Sequence, residues 1–309
     1  MRSFFGQPLC GIIDFRVNFK TIGNGALRQM VDLHTHTTAS DGTYSPEQSV
    51  KRAKQKGLQA LAITDHDTVG GVREAIVAGQ KWGVEIIPGI EISSVHEGQD
   101  IHVLGYFVDY EDTRFLNRLT ELRNVRNKRN QMMIAKFNEL GIKIDLEEVQ
   151  QKSKMPGGSI GRPHFAEALI DKGIVATMKE AFDVYLGQTG KAYVNPPRLT
   201  PQEAIYLIKD AGGVPVLAHP GIYDNEELVE QLLRNGLVGI EVYHPDHRPE
   251  QEEYFAALAV KYSVIQTAGS DFHGERNGVI FHGDLGSKST GYETVSQLQQ
   301  ASKEIRLNR

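Results

Sequence analysis

The chain has a single cysteine, Cys10, among 309 residues. A disulfide framework is therefore excluded, and so is a thiolate metal site. No apolar run approaches the roughly 20 residues of a membrane span. A secretory leader would need about 7–15 continuous apolar residues, whereas Gln7, Pro8, Asp14 and Arg16 break up residues 1–29. That segment reads as a dispensable extension or an upstream start, with a short docking strand as the alternative. Without leader or span the expected location is cytoplasmic. No internal repeat or low-complexity tract is visible, and the net charge of −5 is too mild to indicate a partner.

What is present is an ordinary globular composition, 40% hydrophobic and 24% charged. The length suits one large domain or two. Residues 31–109 read as strand, helix, strand, helix, strand, strand, with strands at 31–37, 60–64, 84–92 and 101–107. Ser45 caps the first helix with Pro46 in its first turn, and Gly57 stops it; the second helix runs from Val72 to Trp82 and stops at Gly83. Residues 110–195 break this rhythm with helical segments near 112–140, 146–153, 163–172 and 177–186, and a strand at Ala192-Tyr193-Val194. The rhythm resumes at Thr200-Pro201-Gln202-Glu203, a capping box, and continues with strands at 214–218, 238–243 and 264–268. Seven buried parallel strands joined by helices predict an α/β barrel. The expected organisation is an extension (1–29), a first barrel part (30–109), an all-helical insertion (110–195) and a second barrel part (196–309).

Histidine is where the sequence is unusual. His34-Thr35-His36 ends the first strand, and alternation puts both imidazoles on one face. Asp41 follows. Thr64-Asp65-His66 closes the second apolar run and Gly89-Ile90-Glu91 the third, while His102 opens the fourth. His219-Pro220 and Asp271-Phe272-His273 come later. His34, His36, Asp41, His66, Glu91, His102, His219, Asp271 and His273 make nine candidate metal ligands, with His96 a competitor for the place of His102. A histidine in Asp-His or His-Pro is commonly a hydrogen-bonded core residue. So many ionisable groups at the strand ends of one barrel, however, are costly to bury without a cation. The strands' C-terminal ends are where barrel active sites sit. Nine ligands exceed the needs of one ion and imply two or three divalent cations. Nitrogen and oxygen donors favour Mn, with Fe, Zn or Mg as alternatives.

These motifs resemble the PHP family, named for polymerase and histidinol phosphatase, over residues 31–110 and 200–275. The resemblance implies a distorted seven-stranded (β/α) barrel with a trinuclear metal centre. It implies that His34, His36, Glu91 and Asp271 hold one metal, that Glu91 bridges to a second held by His102 and His219, and that Asp41, His66 and His273 hold a third. Arg123-x-x-Arg126, Gly161-Arg162-Pro163-His164 and Lys191-Ala192-Tyr193-Val194 are similar to a subfamily of small PHP phosphoesterases. Its members act as 3′,5′-nucleoside bisphosphate phosphatases and 5′-to-3′ exoribonucleases. The implied partners are a small phosphorylated nucleotide or short RNA, with no membrane and no obligate protein partner.

The chemistry fits such substrates. Clustered divalent ions offset phosphate charge and acidify water near neutral pH. Residues 111–200 carry a formal +4 within a chain of −5, as a lid over an anion would. Arg123, Arg126, Arg162, His164 and Lys191 are the expected substrate contacts. Arg162 follows the Gly157–Gly161 loop, whose backbone N–H groups suit a phosphate. Glu91 and Asp271 are expected in catalysis, and His244, after the 238–243 strand, as a rim proton donor or phosphate ligand. Two alternatives are a phosphatase of another small metabolite, such as histidinol phosphate, and a metal-dependent amidohydrolase. The latter also opens with His-x-His but normally needs a carboxylated lysine, and residues 84–107 contain none.

Overall fold

The computed structural model describes residues 30–154, 159–276 and 278–309; the docking strand considered for residues 1–29 and the first two residues of the expected Gly157–Gly161 loop lie outside them. Its main sheet has eight strands. They are β1 (Met30–Asp32), β2 (Ala60–Ile63), β3 (Glu85–His96), β4 (Gln99–Tyr106), β5 (Val214–Leu217), β6 (Gly239–Tyr243), β7 (Ile265–Ala268) and the two-residue β10 (Thr290–Gly291). Strands β1 to β7 are neighbours in chain order, and β10 joins the outer edge of β1. The ends of β1 and β7 meet. Leu33 N–H donates to Ala268 O at 3.1 Å and His36 N–H to Phe272 O at 2.9 Å, closing the barrel. A short hairpin, β8 (Glu275–Arg276) with β9 (Val279–Ile280), follows.

The strands are buried on both sides, and their period of two separates two apolar clusters. Ala60, Ala62, Ile87, Val214 and Val216 point inward, where α10 (Tyr292–Leu307) adds Val295 and Leu298. Leu61, Ile63, Ile90, Ile92, Leu217, Ile240 and Val242 point outward. They meet α1 (Pro46–Gln55), α2 (Val72–Trp82), α7 (Pro201–Asp210), α8 (Glu226–Arg234) and α9 (Pro249–Tyr262). The boundaries of α1, α2 and α7 follow local chemistry. Ser45 and Gln48 form one capping box, Thr200 and Glu203 another, and Gly83 ends α2 in the left-handed region at φ 67°.

Two expectations need correction. The strands are not all parallel: β4 runs antiparallel to both β3 and β5. Only Glu97 and Gly98 separate β3 from β4, a tight hairpin that forces reversal. His102, near the start of β4, thus lies at the same rim as the C-terminal ends of the parallel strands. Second, Ala192-Tyr193-Val194 is not a strand; Ala192 packs into the helical cluster instead.

Between β4 and α7 the chain forms α3 (Thr113–Glu139), α4 (Leu146–Gln150), α5 (Arg162–Asp171) and α6 (Met178–Ala181), with a π-turn at Phe182–Leu186. Helix α3 serves two cores. Phe115 and Leu119 pack on the barrel, while Met133 and Phe137 pack with Phe165, Leu169 and Leu186.

Candidate metal centre

All nine predicted ligands converge at the barrel rim. Glu91, 1% exposed, is the hub. In β3 it alternates with the outward Ile90 and Ile92, so its carboxylate points inward. His102 is diagonally opposite on β4, with Nδ1 2.9 Å from Glu91 Oε1. His219 Nε2 lies 3.0 Å from the same oxygen. His66 Nδ1 and His36 Nε2 approach Oε2 at 2.9 and 3.2 Å, and His34 Nε2 lies 3.5 Å from Oε1. Asp271 Oδ1 stands 3.3 Å from His34 Nε2 and 3.1 Å from His36 Nε2. Asp41 Oδ1 is 3.3 Å from His273 Nε2, and His66 Nε2 is 3.9 Å from Asp41 Oδ2. His96 sits at the tip of the β3–β4 hairpin, paired with Gln99, away from this group.

Donor atoms cluster within 4.8 Å of one another in overlapping sets: His36, Asp41, His66 and His273; His34, His36 and Asp271; His34, Glu91 and His219; His66, Glu91 and His102. Many are buried without a hydrogen-bond partner, among them His34 Nε2, both ring nitrogens of His36, His66 Nδ1, Asp41 Oδ1, Glu91 Oε2 and Asp271 Oδ1. Buried polar atoms are normally satisfied. Lone pairs that meet without hydrogen-bond geometry, on carboxylates and imidazoles only, are the donor set of hard or borderline divalent cations. These residues fit a metal cluster.

The electrostatics agree. Burial would raise the carboxyl of Glu91, but the imidazoles of His66, His102 and His34 outweigh it and hold it well below the usual range. Asp41 is likewise held low against burial by His66 and His273. Burial opposes protonation of His36, yet Asp271 and Glu91 push it up to about 10, so the pocket demands positive charge. Burial pushes His219 and His273 down to about 4, leaving neutral imidazoles with free lone pairs.

The backbone is shaped to the same end. His219 and Asp271 take positive φ, 28° and 49°, conformations that non-glycine residues seldom adopt and that collect at functional sites. Gly161 lies against Asp41, where a Cβ would meet Oδ2 at 2.5 Å. The start of α5 therefore abuts this ligand.

Sequence reasoning missed several partners. Glu241 accepts from His34 Nδ1. Asp65 accepts from Thr37 N–H, Thr37 Oγ1 and Ser40 Oγ at 2.6–2.7 Å, shaping the turn before Asp41. An isolated carboxylate within an apolar strand, as in Gly239-Ile240-Glu241-Val242, was the available signal. His282 also reaches the centre. Its Nδ1 is 2.5 Å from Asp246 Oδ2 and its Nε2 3.5 Å from Asp271 Oδ2.

The remaining expected residues are placed differently. His244 is fully buried, with Nε2 3.3 Å from Asp271 Oδ2. With His34 and Glu241 it forms a further set of donor atoms within 4.8 Å of one another. Arg126 is buried against Asp67 Oδ2 at 2.6 Å and Ser93 Oγ at 2.6 Å. Arg123 donates to Asp67 O at 3.3 Å and Thr120 Oγ1 at 2.9 Å. His164 is 2% exposed and accepts from Gly161 N–H through Nδ1, capping α5. Lys191 is exposed, its Nζ 6.0 Å over the Tyr185 ring. Arg162 pairs with Asp100 and stacks on Tyr193 at 5.0 Å. Arg198, which the sequence did not single out, pairs with the same Asp100. Arg129 is 4% exposed, donates to Asn130 Oδ1 and has no acidic partner among the described residues; burial and the neighbouring Arg162 and Arg126 depress it well below the usual guanidinium range. Arg129 Nε, Arg162 Nε and Nη2, and Arg198 Nε are buried without a partner.

A barrel with a carboxylate–imidazole pocket at its rim defines a metal-binding α/β protein. The family model of the PHP domain matches residues 32–194, and the chain belongs to that family. It is similar to the 5'-3' exoribonuclease Rnm of Escherichia coli, at 35% identity over 78% of this chain and 84% of that protein. It is also similar to the 3',5'-nucleoside bisphosphate phosphatase of Chromobacterium violaceum, at 32% identity over 80% and 88%. Among solved structures, a protein of Bifidobacterium adolescentis described as a candidate metal-dependent phosphoesterase superposes with TM-score 0.79 and 32% identity, covering 88% of this chain and 96% of that one. An amidohydrolase from Chromobacterium violaceum, with sulfate bound and no metal, gives the same TM-score and coverage at 30% identity.

Proposed function

We propose that this protein is a metal-dependent phosphoesterase that hydrolyses phosphate esters of nucleotides or short RNA carrying a second phosphate. A 3′,5′-nucleoside bisphosphate or a short 5′-phosphorylated RNA is the substrate class. The observation that carries the reading is the adjacency of two complementary imbalances. The rim pocket has orphaned lone pairs on Asp41, Glu91, Asp271 and their histidines. Beside it, where Arg162 and Arg198 hold Asp100 two residues before His102 and Gly161 abuts Asp41, Arg129, Arg162 and Arg198 have buried N–H groups without acceptors among the described residues. The first wants cations and the second an anion.

Divalent ions, two or three per chain and manganese first among them, would supply charge neutralisation at phosphorus and an acidified water. His34, His36, Glu91 and Asp271 would hold one, His102 and His219 with Glu91 another, and Asp41, His66 and His273 a third. The chain's other groups bind and orient. Arg162 and Arg198, set by Asp100, present guanidinium N–H groups to a phosphate that is not being cleaved. His282, rather than the buried His244, is the rim imidazole whose Nε2 can hold a proton for the departing oxygen.

Relatives named for exoribonuclease, bisphosphate phosphatase and cyclic-phosphate diphosphodiesterase activities support phosphoester chemistry. Residues 84–107 hold no lysine that could be carboxylated, and Glu91 lies among the imidazoles in its stead, which weighs against amidohydrolase chemistry. The test is to load the protein with Mn²⁺ and offer adenosine 3′,5′-bisphosphate, 5′-phosphorylated oligoribonucleotides and p-nitrophenyl phosphate. Phosphate or nucleotide release that a chelator abolishes supports the reading. No release from any of the three, or release indifferent to chelation, overturns it.

A further inference from the structure

Glu241 lies at the centre of β6, fully buried. Its neighbours Ile240 and Val242 face the outer helices, so strand alternation turns its side chain into the barrel. A lone carboxylate there is costly unless its oxygens are satisfied. Both are. The Nδ1 of His34 lies 3.1 Å from Oε1 and 3.2 Å from Oε2, and the backbone N–H of His219 donates to Oε2 at 2.8 Å. Glu241 also falls in a donor set with His34 and His244, but it meets His34 at Nδ1, across the ring from the Nε2 that faces Glu91 and Asp271, and its Oε2 is taken by the His219 N–H, which places it behind the atoms that converge on Glu91.

Two consequences follow from what a carboxylate can do. Ionised, it only accepts, so His34 must carry its proton on Nδ1. That leaves the Nε2 lone pair free, and Nε2 is the atom aimed between Glu91 and Asp271. At His219 the same carboxylate grips the main chain at a residue whose φ of 28° is otherwise unfavourable. The grip holds Nε2 at 3.0 Å from Glu91 Oε1. One side chain from β6 thus sets a ligand from the end of β1 and a ligand from the end of β5, on either side of the bridging Glu91.

We propose that Glu241 is a positioning residue for the metal centre, fixing the tautomer of His34 and the backbone of His219 so that both present Nε2 to cations shared with Glu91. This rests on the phosphoesterase reading above, and the experiment separates the two. The full-length protein is stripped with a chelator and titrated with Mn²⁺, following ions bound per chain. The wild type is compared with Glu241→Gln, which keeps the shape but replaces one acceptor with an amide donor, and Glu241→Asp, which keeps an acceptor-only group. Glu241→Gln should weaken the ions held by His34 and His219 about 10–100-fold, the usual effect of losing such a partner. The ion at Asp41, His66 and His273 should stay, and Glu241→Asp should recover part of the loss. Histidine ring ¹⁵N spectra of the Zn²⁺-loaded proteins should show Nδ1 of His34 protonated in the wild type and losing that proton only in the Gln variant. Should Glu241→Gln fail to fold, Glu241→Asp carries the comparison through a smaller loss confined to the same two sites. Wild-type affinity at every site, whatever happens to the melting temperature, overturns the inference. A wild type that binds no divalent ion overturns the phosphoesterase reading itself.

Discussion

Gly269 is pressed against His34: a Cβ on this glycine would lie 2.2 Å from the Cβ of His34 and 2.6 Å from its backbone nitrogen. The contact is where β7 meets β1, so closing the barrel and placing the first ligand are one event. Gly269→Ala should force the two strand ends apart, costing about 1–3 kcal/mol as overpacking does. It should also lower metal content, because His34 moves with its strand. Gly70→Ala is the comparison, since its new Cβ meets nothing closer than the Thr68 hydroxyl at 3.3 Å. Denaturant melts with metal analysis check both, and a Gly269→Ala protein with unchanged stability and metal content would contradict the account.

Glu91 is approached by five imidazoles. Glu91→Gln preserves its volume and removes its charge. Metal content should fall and turnover should drop by more than about a hundredfold, beyond the effect of losing an outlying partner, while circular dichroism stays native. Normal metal content with a near-normal rate would remove Glu91 from the bridging position.

The set formed by Asp41, His66 and His273 with His36 draws on three distant segments. The wild type should hold more than one ion per chain, and His273→Ala should lose part of that complement while keeping the ions beside Glu91. Plasma mass spectrometry after dialysis gives the count. A stoichiometry of one in both proteins would rule out a cluster.

Arg162 has two buried nitrogens without partners although Nη1 is engaged by Asp100. Arg162→Ala should reduce kcat/KM for adenosine 3′,5′-bisphosphate at least tenfold more than for p-nitrophenyl phosphate, which offers no second phosphate. That difference corresponds to about 1.4 kcal/mol of transition-state binding. Equal losses on both substrates would place Arg162 at the reacting phosphate, and no loss on either would make its pairing with Asp100 purely structural.

Much of this arrangement was legible in residue order. The apolar runs and their caps marked seven strands and most helices, because strand alternation, Ser45 and Thr200 caps and the Gly83 stop are local effects within a few residues. The candidate ligands were legible for the same reason: nearly all sit at the edge of an apolar run, and histidines and carboxylates are seldom placed there without a partner. Other features depended on contacts across the fold. Strand direction at β4 turned on a two-residue hairpin, which carried His102 to the rim from the start of its strand. Arg126 and His164 share a charge or ring chemistry with the proposed anion contacts, but Asp67 and the Gly161 N–H claim them, and those partners lie in other elements or in the turn itself. Glu241 and Arg198 acquire meaning only beside His34 and Asp100, more than 200 and nearly 100 residues away in the chain. A side chain's type and spacing state what it can bind, whereas which of its possible partners it meets is decided by packing.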